Sequence, residues 1–521
     1  MSLAPATLPN DVAALQGLVI AYHDKWNSAE NYLKLAEEKV RLLKAMLFGR
    51  KSEKQTAEED EQGRLFNEIE GVLSKPAATV RSHRRGKGGR KPLPADLPRE
   101  IITHDLPEDE KQCGCGAPLV RIGEERTEKV DVVPQRVVVQ VHVRPKYACH
   151  VCEGSGDETH PGVRVAPLPE QMVPKSIATA RLLAFIFASK FVDALPFYRL
   201  SKIFARFGFE LSRTRMCQWA MHVHRRCLPL LQLLRRDLLS GPLVGADETP
   251  VQVLGEKDRS NTAKSQMWVV RGGDVGRPVV WFEYRPTRSG SVIEEILAGY
   301  QGYLQTDGYS GYDRVGEWPG VNHVGCWAHA RRGFVAVQKA AAKSPVADDA
   351  VEFIGKLYEI EAKARQQKID AIALRELRQK EARPVLDALH KWLKEKSPEV
   401  PPKSLLGEAI AYTLDRWPKL IRYLDDGRIP IDNNLVENAI RPFVIGRKNW
   451  LFSACPQGAA ASAALYTLVE NAKANGLDPY WYFCHLFEKL PNVKDNNEAE
   501  LRALLPQYVE KSLVKALAAA A

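Results

Sequence analysis

The stretch from residue 243 to residue 326 limits the possible folds more than any other part of the chain. It contains five short apolar runs, each typical of a strand, and one helical run near 291–300. The strand candidates are 243–254, 266–272, 278–284, 302–306 and 321–326. Three strands in succession, then a helix and a further strand, predict an α/β sheet with mixed pairing.

Two aspartates follow apolar runs within this stretch. Asp247 lies in LVGADETPVQV, and Asp307 lies in GYLQTDGYSGY. A carboxylate at the end of a strand can project into a cleft instead of the core. If the two strands are neighbours, both carboxylates come within reach of one divalent ion. Oxygen ligands of this kind suit Mg²⁺ or Mn²⁺.

A third candidate carboxylate lies in IDNNLVENAIRPFVIGRKNW. On a helix, Asn434, Glu437 and Arg441 share one face, and Lys448 follows as a further cation that could bind phosphate. Two metals about 4 Å apart, held by such carboxylates, can activate a nucleophile and stabilise the leaving oxygen of a phosphodiester. Taken alone, however, Glu437 and Arg441 are better explained as an exposed ion pair.

Four of the nine cysteines form two close pairs in a small module at 101–165. The pairs are Cys113 with Cys115 and Cys149 with Cys152. Four thiolates brought together by a hairpin predict a structural Zn²⁺ site, which would help so small a module to fold. The Cys-x-Cys spacing is tighter than usual, so His104 and His150 are alternative ligands, and free buried thiols are the competing interpretation.

Residues 198–223, within a helical region at 175–240, predict a helix–turn–helix for DNA binding. Gly208 lies at the break between two short amphipathic helices, and Ser212 is placed to cap the second. The first turn of that helix would present Arg213 and Arg215 to base edges. A plain helical hairpin is the alternative, and the neighbouring basic residues favour DNA.

The first 100 residues predict a zipper helix and a basic linker. From Trp26 onward, apolar or small residues of the 10–50 segment recur at alternating steps of 3 and 4, which favours self-association through a coiled coil. Packing of this helix on its own chain is the alternative. The 51–100 linker contains RSHRRGKGGRK, either a solvated spacer or an arm that neutralises phosphates. The net charge of +10 also suits a polyanionic partner.

The sequence contains no apolar run long enough to span a bilayer and no secretory signal at its start. We therefore expect a cytoplasmic protein. The hydrophobic share of 45% and the charged share of 26% are ordinary for globular domains.

Four segments resemble those of a known family: GADETP, TDGYSGY, CWAHARR and DNNLVENAIRPFVIGRKNW. They are similar to the DDE transposases of bacterial insertion sequences, in particular the large transposase subunit (TnpC) of the IS66 family. The resemblance covers nearly the whole chain, including the order of zipper, cysteine module, helix–turn–helix region and catalytic segments. Its most specific part is the E-R-K pattern formed by Glu437, Arg441 and Lys448.

The resemblance implies a multidomain α+β protein with a ribonuclease H-like α/β catalytic domain at 241–455. Asp247, Asp307 and Glu437 would be its catalytic residues and metal ligands. Glu437 follows Asp307 by 130 residues, so a helical insertion is expected, and the 335–425 stretch is helical in pattern. A C-terminal helical tail at 456–521 completes the chain.

The CWAHARR segment resembles the Cys-x-x-His motif that related transposases carry before the insertion. We expect a supporting structural role for Cys326 and His329 more than a metal site, because the sequence offers no second ligand pair. Arg331 and Arg332 are candidate DNA contacts.

The function implied by the resemblance is that of a transposase that cleaves and joins DNA strands by a two-metal mechanism. Its expected partners are double-stranded DNA (the element's terminal inverted repeats and the target), further copies of itself in a homo-oligomer, and small accessory proteins of the same element. Two alternatives remain: a DNA-binding regulator without catalysis, and a nuclease of the same fold that does not join strands. The complete Asp–Asp–Glu set argues against the regulator.

Overall fold

The computed structural model describes residues 11–48, 137–148, 163–340, 344–494 and 497–519. The basic linker and the four paired cysteines, Cys113, Cys115, Cys149 and Cys152, lie outside the described residues. The chain divides into two compact units, one formed by residues 1–74 with 143–521 and the other by residues 75–142. Of the second unit, the structure describes 137–142, which are irregular and exposed.

The described part of the chain forms eight strands and a larger number of helices. The strands are β1 (Lys146–Ala148), β2 (Val163–Val165), β3 (Leu243–Val253), β4 (Lys264–Asp274), β5 (Arg277–Arg285), β6 (Gly302–Gln305), β7 (Val321–Val324) and β8 (Phe452–Ser453). The α-helices are α1 (Val12–Phe48), α2 (Ala180–Phe191), α3 (Phe197–Arg206), α4 (Arg213–Leu238), α5 (Gly290–Ile296), α6 (Asp313–Gly316), α7 (Trp327–Ala340), α8 (Pro345–Gln367), α9 (Ala371–Leu377), α10 (Arg383–Lys396), α11 (Leu405–Asp415), α12 (Trp417–Leu420), α13 (Asn434–Trp450), α14 (Pro456–Ala474), α15 (Pro479–Lys489), α16 (Glu498–Ala503) and α17 (Lys511–Ala519). Among the helices described, none is long and apolar enough to cross a membrane.

The main sheet has the strand order β5-β4-β3-β6-β7, with β8 paired to β3 beyond the end of β6. Strands β3, β4 and β5 are antiparallel neighbours, whereas β3–β6 and β6–β7 are parallel. The predicted mixed pairing is therefore confirmed. The turn between β4 and β5 depends on Gly276, whose φ of 82° lies in the left-handed region that favours glycine.

One hydrophobic core joins the sheet to helices that precede it in the sequence and to helices that follow it. It includes residues of α2–α4, of the strands, and of α13–α15, and extends to Val514 in α17. The domain boundaries predicted at 240 and 455 therefore fall within this one continuous core. The C-terminal region is accordingly part of the core, and α14 alone buries twelve residues.

Helix α14 also closes the outer edge of β5. The Asn471 side chain accepts from the Val280 main-chain N–H at 3.1 Å and donates to its carbonyl at 2.6 Å. The Thr467 hydroxyl accepts from the Phe282 N–H at 2.9 Å. These side chains satisfy main-chain groups that a further strand would otherwise pair.

Helices α7–α12 lie between β7 and α13 and have a second core of their own. Most described residues of the stretch at 335–425, predicted to be helical, lie in these helices. Within it, the Arg378 guanidinium is 1% exposed and donates two hydrogen bonds to Glu361, at 2.7 and 2.8 Å. Removal of either partner from such a buried ion pair is strongly destabilising, because it leaves the other charge buried and unpaired.

Helices α3 and α4 form the predicted pair around Gly208, which has a φ of 75°. Ser212 caps α4 by accepting from the Arg215 N–H at 3.3 Å. The second helix is longer than the short helix predicted, with 26 residues despite Pro229 within it. The added length has a packing cause, because its second half buries Leu230, Leu234 and other leucines against the sheet core.

Candidate active site

Asp247 lies inside β3, and not at the end of a strand as predicted, whereas Asp307 follows the end of β6, the parallel neighbour of β3. Strands β3 and β6 pair with Gly245 opposite Gln305, and each aspartate comes two residues after its member of this pair. The strands therefore bring both carboxylates out at the same level. Their proximity is evident in the pKa of Asp247, which the charge of Asp307 raises.

Burial dominates the acid–base behaviour of Asp247. It raises the pKa of this carboxyl to about 8, and the negative charges of Glu248, Asp307 and Glu437 add to the effect. A hydrogen bond from the Glu248 N–H to Asp247 Oδ1, 2.8 Å long, opposes it. Ionisation of a carboxyl group in these surroundings costs free energy unless a cation lies beside it.

A network centred on Glu248 holds the loop that carries Asp307. Glu248 accepts from the Tyr312 hydroxyl and from Arg288 Nε, the latter at 2.6 Å. The Arg288 guanidinium stacks on the Tyr309 ring at 3.9 Å, and the Tyr309 N–H donates to Asp307 Oδ1 at 2.9 Å. None of these residues other than Asp307 was predicted from the sequence. One signal for Glu248 is present in the sequence, because it is an acidic residue directly after Asp247. The alternation of side chains along a strand turns Glu248 to the opposite face of β3.

The start of α13, which carries Glu437, is fixed by hydrogen bonds to the sheet and to α7. The Asn433 side chain donates to the Ala246 carbonyl at 3.0 Å, and its main-chain N–H donates to Cys326 Sγ at 3.2 Å. Gln305, at the end of β6, donates to the Pro430 carbonyl at 2.7 Å. Strands β3 and β6 therefore both hold the segment that leads to Glu437.

Gly245 is required where α13 approaches β3. A Cβ at this position would be 2.5 Å from Val436 Cγ2 and 2.8 Å from Asn433 Oδ1. Real Cβ atoms essentially never approach other atoms so closely. The helix can thus pack directly over the strand that carries Asp247.

Glu437 is buried, with 4% of its surface exposed. This excludes the interpretation of Glu437 and Arg441 as an exposed ion pair. Its Oε2 is 3.5 Å from the Arg332 guanidinium. Its buried Oε1 is 3.6 Å from His329 Nδ1 and has no hydrogen-bond partner within the described part of the chain. Burial raises the pKa of Glu437, and the charges of Arg332 and Arg441 oppose that rise.

The three carboxylates fit a divalent cation. They offer oxygen ligands from β3, from the loop after β6 and from α13. Each lies close enough to another for its charge to affect a carboxyl pKa. Glu437 Oε1, which none of the described residues hydrogen-bonds, is the kind of buried atom that a bound ion would satisfy.

A family model described as "Transposase IS66 family" matches residues 175–461, which is more than half of the chain. The matched range contains all three carboxylates.

The chain belongs to the IS66 transposase family.

Three further models of this family match other parts of the chain. "Transposase C of IS166 homeodomain" matches residues 35–102, and "IS66 C-terminal element" matches residues 467–507. "Zinc-finger binding domain of transposase IS66" matches residues 110–153, a range that includes all four paired cysteines. The predicted family is confirmed over most of the sequence.

Relatives of similar length occur in Sinorhizobium fredii (strain NBRC 101917 / NGR234). The uncharacterized proteins y4qI and y4jD are each 32% identical to this IS66-family chain over 97% of its length and 98% of their own. The uncharacterized protein y4hP is 28% identical over 84% of this chain and 79% of its own length.

The predicted phosphate-binding residues of this IS66-family transposase occupy different surroundings. Arg441 lies one turn after Glu437 on α13, and Lys448 is exposed near the end of that helix. Arg332 has 53% of its side chain exposed and faces Glu437. Arg331 is half-buried on the other side of α7, where its charge acts on Tyr358 of the insertion.

The exposed surface of α3 and α4 is strongly basic. Arg213 and Arg215 are exposed in the first turn of α4, as the helix–turn–helix interpretation requires. The other exposed cations of this surface are Arg199, Lys202, Arg206, Arg225 and Arg226. This surface lies on helices that share the core of the catalytic sheet.

Proposed function

We propose that this IS66-family transposase cleaves and joins DNA strands at the Asp247, Asp307 and Glu437 site by a two-metal mechanism. The observation that carries the proposal is the convergence of three carboxylates from separate elements. Asp307 and Glu437 both raise the pKa of Asp247, although 130 residues separate them from each other in the sequence. Without a bound cation the negative charges of the three carboxylates repel one another. The arrangement is therefore best explained as a Mg²⁺ or Mn²⁺ site.

The sheet topology supports the ribonuclease H-like fold that the family resemblance implies. Three antiparallel strands continue into two parallel strands, with Asp247 on the central strand and Asp307 directly after its parallel neighbour. Helices α7–α12 then separate the last strand from the helix that bears Glu437.

The residues around the carboxylates have distinct roles in the proposed reaction. When bound, the divalent cations supply activation of the attacking oxygen and stabilisation of the leaving oxygen. Asp247, Asp307 and Glu437 would hold these cations. Arg332, which is half-exposed beside Glu437, is placed to contact a phosphate. Attack by water gives a nick, whereas attack by a DNA 3′-hydroxyl gives strand transfer.

DNA binding is assigned to the basic surface of α3 and α4, with Arg213 and Arg215 directed at the element's terminal inverted repeats. Arg441 and Lys448 are assigned to phosphates nearer the carboxylates. The zinc-finger model over residues 110–153 supports Zn²⁺ bound by Cys113, Cys115, Cys149 and Cys152.

Helix α1 supports assembly into a homo-oligomer. Five of its large apolar residues recur at seven-residue intervals, and 49–70% of the surface of each is exposed. They are Val12, Val19, Trp26, Leu33 and Val40. Such a row matches one of the two apolar heptad positions that form a coiled-coil seam. Joining two DNA ends requires at least two protomers, and the family resemblance adds small accessory proteins as partners.

The test is a strand cleavage and joining assay with the full-length protein and a labelled duplex carrying the element's end. Mg²⁺, Mn²⁺ or no divalent cation is supplied, with accessory proteins present. We expect metal-dependent cleavage and joining that Asp307→Asn abolishes while DNA binding is retained. Asp387→Asn, on an exposed face of α10, is the matched control.

Each other outcome points to a specific alternative. Cleavage without joining would favour the hydrolytic nuclease. Tight DNA binding without metal-dependent chemistry would favour the regulator. Normal activity of Asp307→Asn would show that this carboxylate assignment is wrong.

A further inference from the structure

Cys326, His329 and Glu437 form a cluster of metal-ligating side chains at the edge of the proposed active site. One ligand atom from each lies within 4.8 Å of the others. The sequence motif gave Cys326 and His329 the same expected role. The structure separates them, because the two side chains have different surroundings.

The Cys326 sulfur is already engaged by the main chain. It accepts from the Asn433 N–H at 3.2 Å, and the His329 main-chain amide also hydrogen-bonds to it. The side chain is fully buried, and that burial raises the pKa of the thiol. Cys326 therefore acts as a clamp between the starts of α7 and α13.

The His329 imidazole has an unsatisfied atom that faces Glu437. Nδ1 is buried and has no hydrogen-bond partner among the residues that the structure describes, and the same holds for Glu437 Oε1, 3.6 Å away. This separation is too long for a hydrogen bond. It is close to the spacing of about 3 to 3.5 Å between two atoms that each bind one ion at about 2.1 Å.

The position of His329 is fixed by main-chain contacts and not by the imidazole itself. The Trp327 N–H donates to the Ile431 carbonyl at 3.2 Å, and its indole N–H donates to the Leu420 carbonyl at 3.0 Å. The first turn of α7 is thus tied to the segment leading into α13. His329 is consequently presented to Glu437 before any ligand binds.

We propose that His329 supplies a nitrogen ligand, through Nδ1, to the divalent cation on the Glu437 side of the active site. This inference rests on the proposed function, since it adds a fourth side chain to the cation site. Carboxylates suit Mg²⁺ and Mn²⁺ alike, whereas imidazole favours transition metals over Mg²⁺. His329 therefore makes the site prefer Mn²⁺ to Mg²⁺.

The experiment measures cation binding directly, without DNA. Mn²⁺ and Mg²⁺ are titrated separately into the full chain, with zinc bound, by calorimetry. We expect His329→Ala to weaken Mn²⁺ binding at least tenfold and Mg²⁺ binding less than threefold. His222→Ala, on α4 away from the carboxylates, is the matched histidine control and should change neither affinity.

A spectroscopic measurement gives the decisive readout. Electron spin-echo envelope modulation of bound Mn²⁺ should show coupling to an imidazole ¹⁴N in the original protein and lose it in His329→Ala. His329→Asn, which places an amide oxygen near the position of Nδ1, serves if the alanine variant does not fold. It should retain Mg²⁺ binding and lose both the nitrogen coupling and the Mn²⁺ preference.

The outcomes separate this inference from the proposed function. Mn²⁺ bound without nitrogen coupling, or an unchanged Mn²⁺ to Mg²⁺ ratio in His329→Asn, would overturn the role of His329 alone. Binding of both cations that survives Asp307→Asn would instead overturn the proposed cation site, and the inference with it.

Discussion

Asp247→Asn is expected to make the cation-free protein more stable, although it removes a proposed catalytic residue. Burial and the neighbouring charges raise the pKa of Asp247 from 3.8 to about 8. A raised carboxyl pKa means that the folded state binds the proton more tightly than the unfolded state. Ionisation therefore costs stability, and the cost grows as the pH rises from about 4 to about 8. Asparagine removes the charge and keeps an oxygen that can accept from the Glu248 N–H.

The magnitude follows from the size of the shift. At about 1.4 kcal/mol per pKa unit, the charged form of Asp247 costs about 3 kcal/mol at pH 6 and about 5 kcal/mol at pH 8. With roughly 2 °C per kcal/mol for a large domain, Asp247→Asn should raise Tm by about 6 °C at pH 6 and about 10 °C at pH 8.

The assay is thermal unfolding, followed by circular dichroism, in buffer free of Mg²⁺ and Mn²⁺. Asp387→Asn, an exposed aspartate on α10, should leave Tm unchanged at both pH values. Mg²⁺ should stabilise the original protein at pH 8 and have little effect on Asp247→Asn. A lower Tm for Asp247→Asn, or a gain that is the same at both pH values, would refute the reasoning.

Three further changes test other parts of the structure. Gly245→Ala places a methyl group 2.5 Å from Val436 Cγ2, so we expect denaturant unfolding to show a free energy of unfolding lower by about 2 kcal/mol. If adding Val436→Ala restored none of this stability, the steric explanation would be wrong. Glu248→Gln weakens the contacts that hold the Asp307 loop, so half-maximal cleavage should need about tenfold more Mg²⁺; an unchanged Mg²⁺ requirement would count against that role. Arg213→Ala with Arg215→Ala should weaken binding to the element's end at least tenfold more than binding to an unrelated duplex, and an unaltered preference for the element's end would remove these residues from the DNA interface.

The strands were predictable because their signals are local, whereas the position of Asp247 inside β3, and not at its end, was not predicted. The run predicted at 243–254 corresponds to β3 (Leu243–Val253), and the acidic residue after each apolar run is visible in the sequence. The helical insertion was equally accessible, since its apolar periodicity continues through α8–α11.

The contacts that assemble the site were not predictable, because they join residues far apart in the chain. Asn433 reaches the Ala246 carbonyl across 187 residues, and nothing in DNN identifies which asparagine turns inward. The orientation of His329 depends in the same way on the Cys326 clamp. The true length of α4 was missed because its later leucines pack on a sheet that comes after them in the sequence.

The closure of β5 by Asn471 and Thr467 has a consequence for incomplete copies of the protein. A chain that ended before α14 would keep Asp247, Asp307 and Glu437 but leave the Val280 and Phe282 N–H groups open. An exposed edge of this kind recruits strands from other chains. We therefore expect a gene copy truncated there to yield an aggregating protein, and not a shortened competitor that occupies DNA ends.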